Sequence, residues 1–369
     1  MRIEAVEVRQ IRMELVRPFR TSFGTTRERI ITIVRVTDGN VSGYGEVTAA
    51  EGPLFGHETF ETAWHILNDF IIPWTLGKEF HRAADLGPAL ARIRGHRMTK
   101  AGMENALWDL EARQRGIPLW RLLGGIRDRI DCGVSIGIQP SADALIQCIQ
   151  TEKDAGYQRF KVKIQPGWDV DVIRAVRESF PDIRLMVDAN SAYSLDDADH
   201  LRQFDAFDLM MIEQPLDWED IIDHATLQKT IRTPICLDES IHSAGDARKA
   251  IAIGACRIVN IKVGRVGGHS GAVAVHDVCH RAGVPVWCGG MLESGIGRAH
   301  NVAISTLPNF TLPGDVSDSR RYWTQDIVEP AIHAGGDGTI IPSGGPGLGY
   351  TVCDDRIEAR TTRARSFRA

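Results

Sequence analysis

Phe160-Lys161-Val162-Lys163-Ile164, Leu185-Met186-Val187-Asp188-Ala189-Asn190, Leu209-Met210-Met211-Ile212-Glu213, Ile235-Cys236-Leu237-Asp238-Glu239 and Ile258-Val259-Asn260-Ile261-Lys262 are five short apolar runs that carry or end on ionisable residues. From Lys163 to Asp188, from Asp188 to Glu213 and from Glu213 to Asp238 the interval is 25 residues, and from Asp238 to Lys262 it is 24. One chemically active residue therefore falls at the same place in each successive unit. Amphipathic stretches of about ten to fifteen residues separate the runs, the rhythm of strands alternating with helices around a parallel sheet. Working outward, Cys132–Ile138 supplies a run before the set, Val284–Trp287 one after it, and a weaker run lies near Phe310–Leu312. Seven clear strands and one faint strand predict an α/β fold closed into a barrel. An open doubly wound sheet is the alternative, but no G-x-G-x-x-G follows any strand and no Walker A sequence occurs.

Upstream of the Gly124-Gly125-Ile126-Arg127-Asp128 turn the texture is α+β. Residues 3 to 15 and 30 to 37 read as strands, with a hairpin turn at Asp38-Gly39, and residues around 58 to 71 and 97 to 116 show apolar positions at helical spacing. The 369 residues carry 43 Lys and Arg against 48 Asp and Glu, a net charge of −5, and 43% are hydrophobic. Such a chain can bury one large core with a small domain attached. It lacks the basic excess of a phosphate-gripping surface, so nucleic acid is not an expected partner. No apolar run approaches membrane-spanning length, and the opening MRIEAVEVRQ lacks a signal-type apolar core, so no membrane partner is expected. Seven cysteines without a C-x-x-C pair point to free thiols in the cytoplasm.

In a (β/α)₈ barrel the carboxyl ends of the strands open onto one face, where several strands contribute to one site. With Cys132–Ile138 as strand one, Lys163 ends strand two, Asp188, Glu213 and Asp238 end strands three to five, and Lys262 ends strand six, opposite strand two. Carboxylates on adjacent strands, about 5 Å apart, would repel unless a cation neutralised them. An all-oxygen set suits Mg²⁺ or Mn²⁺ rather than Zn²⁺. A small-molecule carboxylate bound to that ion would present its α-carbon between two lysines. Lysine acts as a base when neutral, and burial with nearby cations lowers its pKa; Lys161 and the metal are such neighbours for Lys163, and Arg265 for Lys262. The fitting chemistry is removal of a proton α to a carboxylate, with the enediolate stabilised electrostatically. Spacing leaves Asp238 and Glu239 open as the third ligand, because strand neighbours face opposite ways. A Schiff-base aldolase or lyase using Lys262 is also compatible.

Lys161-Val-Lys163, Val187-Asp188-Ala-Asn190, Ile212-Glu213-Gln-Pro, Leu237-Asp238-Glu239-Ser and Asn260-Ile-Lys262 together resemble the enolase superfamily in its muconate-cycloisomerase-like branch. Longer strings, among them Pro18-Phe-Arg-Thr-Ser-Phe-Gly24, Lys163-Ile-Gln-Pro-Gly-Trp-Asp169, Gly264-Arg-Val-Gly-Gly268, Trp287-Cys-Gly-Gly-Met-Leu-Glu-Ser294 and Leu312-Pro-Gly-Asp315, resemble the o-succinylbenzoate synthase and N-succinylamino acid (N-acylamino acid) racemase family. The resemblance implies a (β/α)₇β modified TIM barrel over residues 128–314, an α+β capping domain over 1–127, and a segment 315–369 returning to both. It implies Asp188, Glu213 and Asp238 as Mg²⁺ ligands, and Lys163 and Lys262 as acid/base groups. Ser135, Lys161, Asn190, Gly290 and Met291 would line the pocket, and the loop Arg20–Thr25, with Phe23, would fold over it. Glu239 would support the site, and Arg265 resembles the arginine of racemase-competent members. In dehydration Lys163 would take and return protons while Lys262 stabilises the intermediate as a cation; in racemisation each lysine would serve one face. A homo-oligomer, dehydration within menaquinone biosynthesis, racemisation or both are implied, with dipeptide epimerisation or cycloisomerisation as alternatives on the same scaffold.

Other patterns have plainer readings. Gly133-Val-Ser135-Ile-Gly137 fits G-x-S-x-G, but the apolar run continues past the serine where a nucleophile elbow would turn. The glycines of 343–349 precede no lysine-bearing helix and read as a turn. No two histidines form H-x-H or H-E-x-x-H, so packing or surface roles are expected of them.

Overall fold

The computed structural model describes residues 1–369. Its amino-terminal β-branched stretches pair as β1 (Ala5–Thr21), β2 (Gly24–Asp38) and β3 (Val41–Val47). The first two run well beyond 3–15 and 30–37, because they continue as a hairpin to Thr21 opposite Gly24. Thr59 caps α1 (Phe60–Ile66), its Oγ1 accepting from Thr62 N at 3.2 Å, and the helix then widens into a π-turn over Leu67–Ile71. Glu58 is diverted to the next helix. Its carboxylate accepts from the backbone of Met98 and Thr99 at 2.8 and 2.9 Å, satisfying the free N–H groups that open α2 (Arg97–Gln114). That helix lies tight on β3: a Cβ at Gly45 would stand 2.0 Å from Gly102 O, so no side chain fits there.

The expected barrel follows, with β4 (Val134–Ile136), β5 (Arg159–Lys163), β6 (Arg184–Asp188), β7 (Ile212–Glu213), β8 (Ile235–Leu237), β9 (Ile258–Ile261) and β10 (Val286–Cys288) in one parallel sheet in chain order. The principal intervening helices are α3 (Ala142–Asp154), α4 (Val170–Ser179), α5 (Ile222–Thr230), α6 (Ala244–Ala252) and α7 (His269–Arg281), and α8 (Gly295–Ile304) follows β10. Ser141, Asp169, Ser243 and Ser294 cap four of these. The faint eighth strand is reduced to two bridges, Phe310 to Val286 and Gly314 to Cys132, which join the two edges of the sheet. Pro313 lies between them and has no N–H to extend a ladder. The last strand, β11 (Thr361–Arg368), pairs antiparallel with β1 and puts the order of the outer sheet at β11-β1-β2-β3. No helix is long and apolar enough to cross a membrane.

Strand register converts the regular sequence spacing into a common height. Lys163 pairs with Asp188, Asp188 with Glu213, Glu213 with Cys236 and Cys236 with Ile258. Asp238 is thus two residues beyond the row and Lys262 four. A barrel of shear eight advances about one residue per strand, so four strand steps absorb those four residues and the set converges at the mouth. Parity also separates the neighbours left open by the sequence. Asp238 shares the inward face with Cys236, which packs with Met186, Met211, Ile258 and Trp287 inside the barrel. Glu239 lies just past the end of β8, where the chain bends.

Two contacts hold the outer sheet over the mouth. Arg20 O accepts from Ile138 N at 2.9 Å, beside Gly137, where a Cβ would stand 2.8 Å from that same oxygen. Ser22 Oγ donates to Ala189 O at 3.2 Å, so the hairpin tip spans from the end of β4 to the end of β6. Farther back, the buried Glu46 carboxylate accepts from Ser294 Oγ at 2.5 Å and Gly297 N at 3.0 Å, at the start of α8. Burial, with Glu293 nearby, raises this carboxyl from its ordinary 4.5 to about 8, against the pull of those hydrogen bonds. A raised native pKa stabilises the fold most below the ordinary carboxylate range, and the contribution is lost as pH climbs through about 8. The thermal unfolding midpoint should therefore fall between about pH 5 and 8, and Glu46→Gln should flatten that fall; equal slopes in parent and variant would refute it.

Candidate active site

Lys161 and Lys163 leave the same face of β5, as residues two apart on a strand do, and both ammonium groups reach Asp188 Oδ2, at 3.2 and 2.6 Å. Lys161 also lies 3.0 Å from Glu213 Oε2 and 2.6 Å from Asp315 Oδ2. Beneath it is Trp287, whose ring centroid is 4.9 Å from Nζ. Lys163 donates to Asn190 Oδ1 at 2.6 Å, and the Asn190 amide donates to Glu239 Oε1 at 2.9 Å. Asn190 has φ 44°, a left-handed conformation that asparagine tolerates and that places it between these two groups. On the other side of the mouth Lys262 donates to Asp238 Oδ2 at 2.7 Å and rests 4.2 Å from the Phe55 ring centroid. Arg265 ion-pairs with Asp238 and is anchored by donating to Ile241 O at 2.8 Å and Asn260 O at 2.6 Å.

All of these charged groups are buried, and their neighbours decide their ionisation. Burial works against Asp188, but Lys163 and Lys161 outweigh it and hold the carboxyl well below the ordinary range. For Glu213 burial wins, with the Asp188 charge adding to it, and the pKa is raised despite the lysines. Burial also raises Glu239, to about 7. Asp315, set between Lys161 and Arg159 at 2.6 and 2.7 Å, is lowered to about 2 against its burial. Burial would discharge Lys161, yet Asp315, Glu213 and Asp188 hold it above its ordinary value. Lys161 is therefore a fixed cation, suited to holding an anionic substrate and unsuited to accepting a proton.

Asp188, Glu213 and Asp238 bring oxygen donors to the ends of three successive strands, each paired with a lysine and not gathered as a preformed metal cluster. Glu239 Oε2 and Asn260 Oδ1 beside them are buried without a hydrogen-bond partner. Hard oxygens and unsatisfied acceptors fit Mg²⁺ or Mn²⁺ and do not suit a softer ion. The residues present fit the metal.

Ser135 and Gly290 line the cavity between the lysines, as the resemblance implies, and Phe19, Leu292, Glu293, Asp315 and Tyr322 join them. Phe23 and Met291 stand away from it. Phe23 sits in the hairpin turn and lines an outer cavity of about 630 Å³ with Leu54 and Phe55, because β1 and β2 carry the turn past the lysines. Met291 packs toward the core of the outer sheet, and Leu292, at φ 57°, takes the inward place. Asp315 was visible as the end of Leu312-Pro-Gly-Asp315 and Phe19 within Pro18-Phe-Arg-Thr-Ser-Phe-Gly24; Tyr322 carried no signal, since its place depends on how the returning segment lands. Ser135 lies within β4 and not at a turn, so no nucleophile elbow exists. All seven cysteines are free, five of them buried. His269 and His300 form a buried pair at 2.8 Å, a packing role.

Residues 144–356 match the family described as Enolase C-terminal domain-like, and residues 3–124 match the mandelate racemase / muconate lactonizing enzyme N-terminal domain. The chain belongs to the enolase superfamily. An o-succinylbenzoate synthase of Geobacillus stearothermophilus is 51% identical over 99% of this chain and 97% of that protein. An N-succinylamino acid racemase of Amycolatopsis sp. is 48% identical over 98% of each chain. The crystal structure of an enolase-superfamily member from Listeria innocua superposes with a TM-score of 0.96 at 36% identity, covering 100% of this chain and 99% of that one. Enolase-superfamily enzymes of these two kinds generally depend on a divalent metal.

Proposed function

We propose that the protein is a Mg²⁺-dependent enzyme that removes the proton α to a carboxylate, acting as an o-succinylbenzoate synthase, an N-succinylamino acid racemase or both. The observation that carries this reading is the pair of buried lysines, Lys163 and Lys262, on strands four places apart and on either side of one carboxylate cluster. Asp188, Glu213 and Asp238 would hold the ion, which when bound offsets negative charge developing on the substrate carboxylate. Lys161, a fixed cation, holds the same carboxylate from below. Lys163 takes the α-proton on one face and Lys262 serves the other; in dehydration Lys163 also returns the proton to the leaving hydroxyl while Lys262 stays charged. Asn190 orients Lys163, and Asp238 with Phe55 orients Lys262. The closed hairpin keeps bulk water from the reacting carbon. The reading includes a cytoplasmic homo-oligomer without nucleic-acid or membrane partners, with capping residues 1–127, barrel residues 128–314 and a returning segment 315–369.

Purified protein with Mg²⁺ should turn over the menaquinone-pathway precursor, N-succinyl-phenylalanine or both, faster than a dipeptide such as L-Ala-L-Glu. Turnover of the dipeptide alone would replace the reading with epimerisation.

A further inference from the structure

Gln214 follows Glu213 in the Ile212-Glu213-Gln-Pro motif and takes no part in the proton transfers. It is fully buried and stands at φ 36°, in the left-handed region that a residue with a Cβ rarely occupies. From there its polar groups reach the chain on both sides. Its N–H donates to Cys236 O at 2.9 Å, just before Asp238, and its carbonyl accepts from Ser191 N at 2.8 Å, just after Asp188. The side-chain Oε1 accepts from Asp238 N at 3.0 Å and Ser240 N at 3.4 Å. Nε2 donates to Asp217 O at 2.9 Å and to Ser240 Oγ at 2.6 Å, and that hydroxyl gives its own proton to Asp220 O at 2.7 Å. A serine hydroxyl that donates to a carbonyl must accept from the amide, so the orientation of Gln214 is fixed and its hydrogen-bonding capacity is used in full.

One residue therefore ties together the three chain segments that carry Asp188, Glu213 and Asp238. The ties run to backbone and leave each carboxylate to its lysine. A cation that draws the carboxylates together thus meets segments whose spacing is already set, and such supporting contacts tune a metal site as its ligands do. We propose that Gln214 is a positioning residue for the metal: it fixes the spacing of the three segments, so that the site favours Mg²⁺, a small ion of strict geometry, over Ca²⁺, a larger and more tolerant one. The proposal rests on the reading of Asp188, Glu213 and Asp238 as the ligands.

Calorimetric titration of the metal-free protein with Mg²⁺ and with Ca²⁺ tests it without turnover. Gln214→Met, similar in volume but unable to make these hydrogen bonds, should weaken Mg²⁺ binding about 10 to 100-fold, the usual cost of losing a group that orients ligands. Ca²⁺ should weaken less, because it accepts a looser site. Gln214→Glu keeps the acceptor for Asp238 N but sets an oxygen against Asp217 O, and its Mg²⁺ to Ca²⁺ ratio should fall between those of the parent and Gln214→Met. Ser240→Ala removes one partner of the amide and should shift the ratio in the same direction by less; it carries the test if Gln214→Met does not fold. Unchanged Mg²⁺ affinity in these variants, or equal losses for both ions, would overturn the assignment, since general loosening of the fold does not distinguish the ions. Glu213→Gln is the control on the ligand reading. If it leaves Mg²⁺ affinity unchanged, or the parent binds no Mg²⁺, the ligand reading falls and this role with it; if Glu213→Gln loses Mg²⁺ and Gln214→Met does not, only the positioning role falls.

Discussion

In D₂O with Mg²⁺ and N-succinyl-phenylalanine, the parent enzyme should exchange the α-hydrogen of both enantiomers, Lys163→Ala should lose exchange at one of them, and Lys262→Ala at the other. Each loss should reach roughly 10² to 10⁴-fold, the usual contribution of a positioned acid or base. The asymmetry follows from topology. The two lysines stand at the ends of β5 and β9, four strands apart in the ring, so a planar centre held between them meets one lysine Nζ on each side. Dehydration of the menaquinone-pathway precursor should vanish in Lys163→Ala, because that lysine handles both proton steps. In Lys262→Ala it should fall through lost charge stabilisation, and Lys262→Arg should restore part of it without restoring exchange. Loss of exchange at both enantiomers in each variant would mean that the lysines act together on one face, and the two-face assignment would be abandoned. Proton NMR of the α-position reads all of these outcomes.

Removal of divalent ions should have an effect of the same order. Chelation followed by gel filtration should abolish exchange, and Mg²⁺ should restore it. Glu213→Gln should leave the protein folded but lower activity roughly 10³-fold, in line with losing a main source of transition-state charge stabilisation. Glu213 is fully buried, and burial with Asp188 raises its pKa even though Lys161 is 3.0 Å away and Asn260 donates to it at 2.7 Å. Activity that survives chelation, with Lys262 trapped by borohydride in the presence of a carbonyl substrate, would instead establish Schiff-base chemistry.

The periodic placement of Lys163, Asp188, Glu213, Asp238 and Lys262 was legible before any coordinates, because a closed βα repeat forces residues at equal sequence spacing onto one rim. The family was legible for the same reason, through the motifs around those residues. The eighth strand was not, because two bridges flanking a proline leave almost no hydrophobic pattern. The places of Phe23 and Met291 were not legible because neither is set by the barrel: the hairpin turn and a left-handed residue at Leu292 decide them.

Sequence by itself determined that Lys163, Asp188, Glu213, Lys262 and one of Asp238 and Glu239 come to the mouth, since repeat length is a local property of the chain. Only the tertiary structure decided how those groups are charged and partnered. The stagger between β7 and β8 brings Asp238 to the height of Glu213, and Lys161 stays cationic because Asp315 arrives from beyond the last barrel strand. The β1–β2 hairpin lies close over the end of β4 because Gly137 has no side chain to hold Arg20 off. Each of these depends on contacts between residues far apart in the chain, whose distances no local pattern encodes.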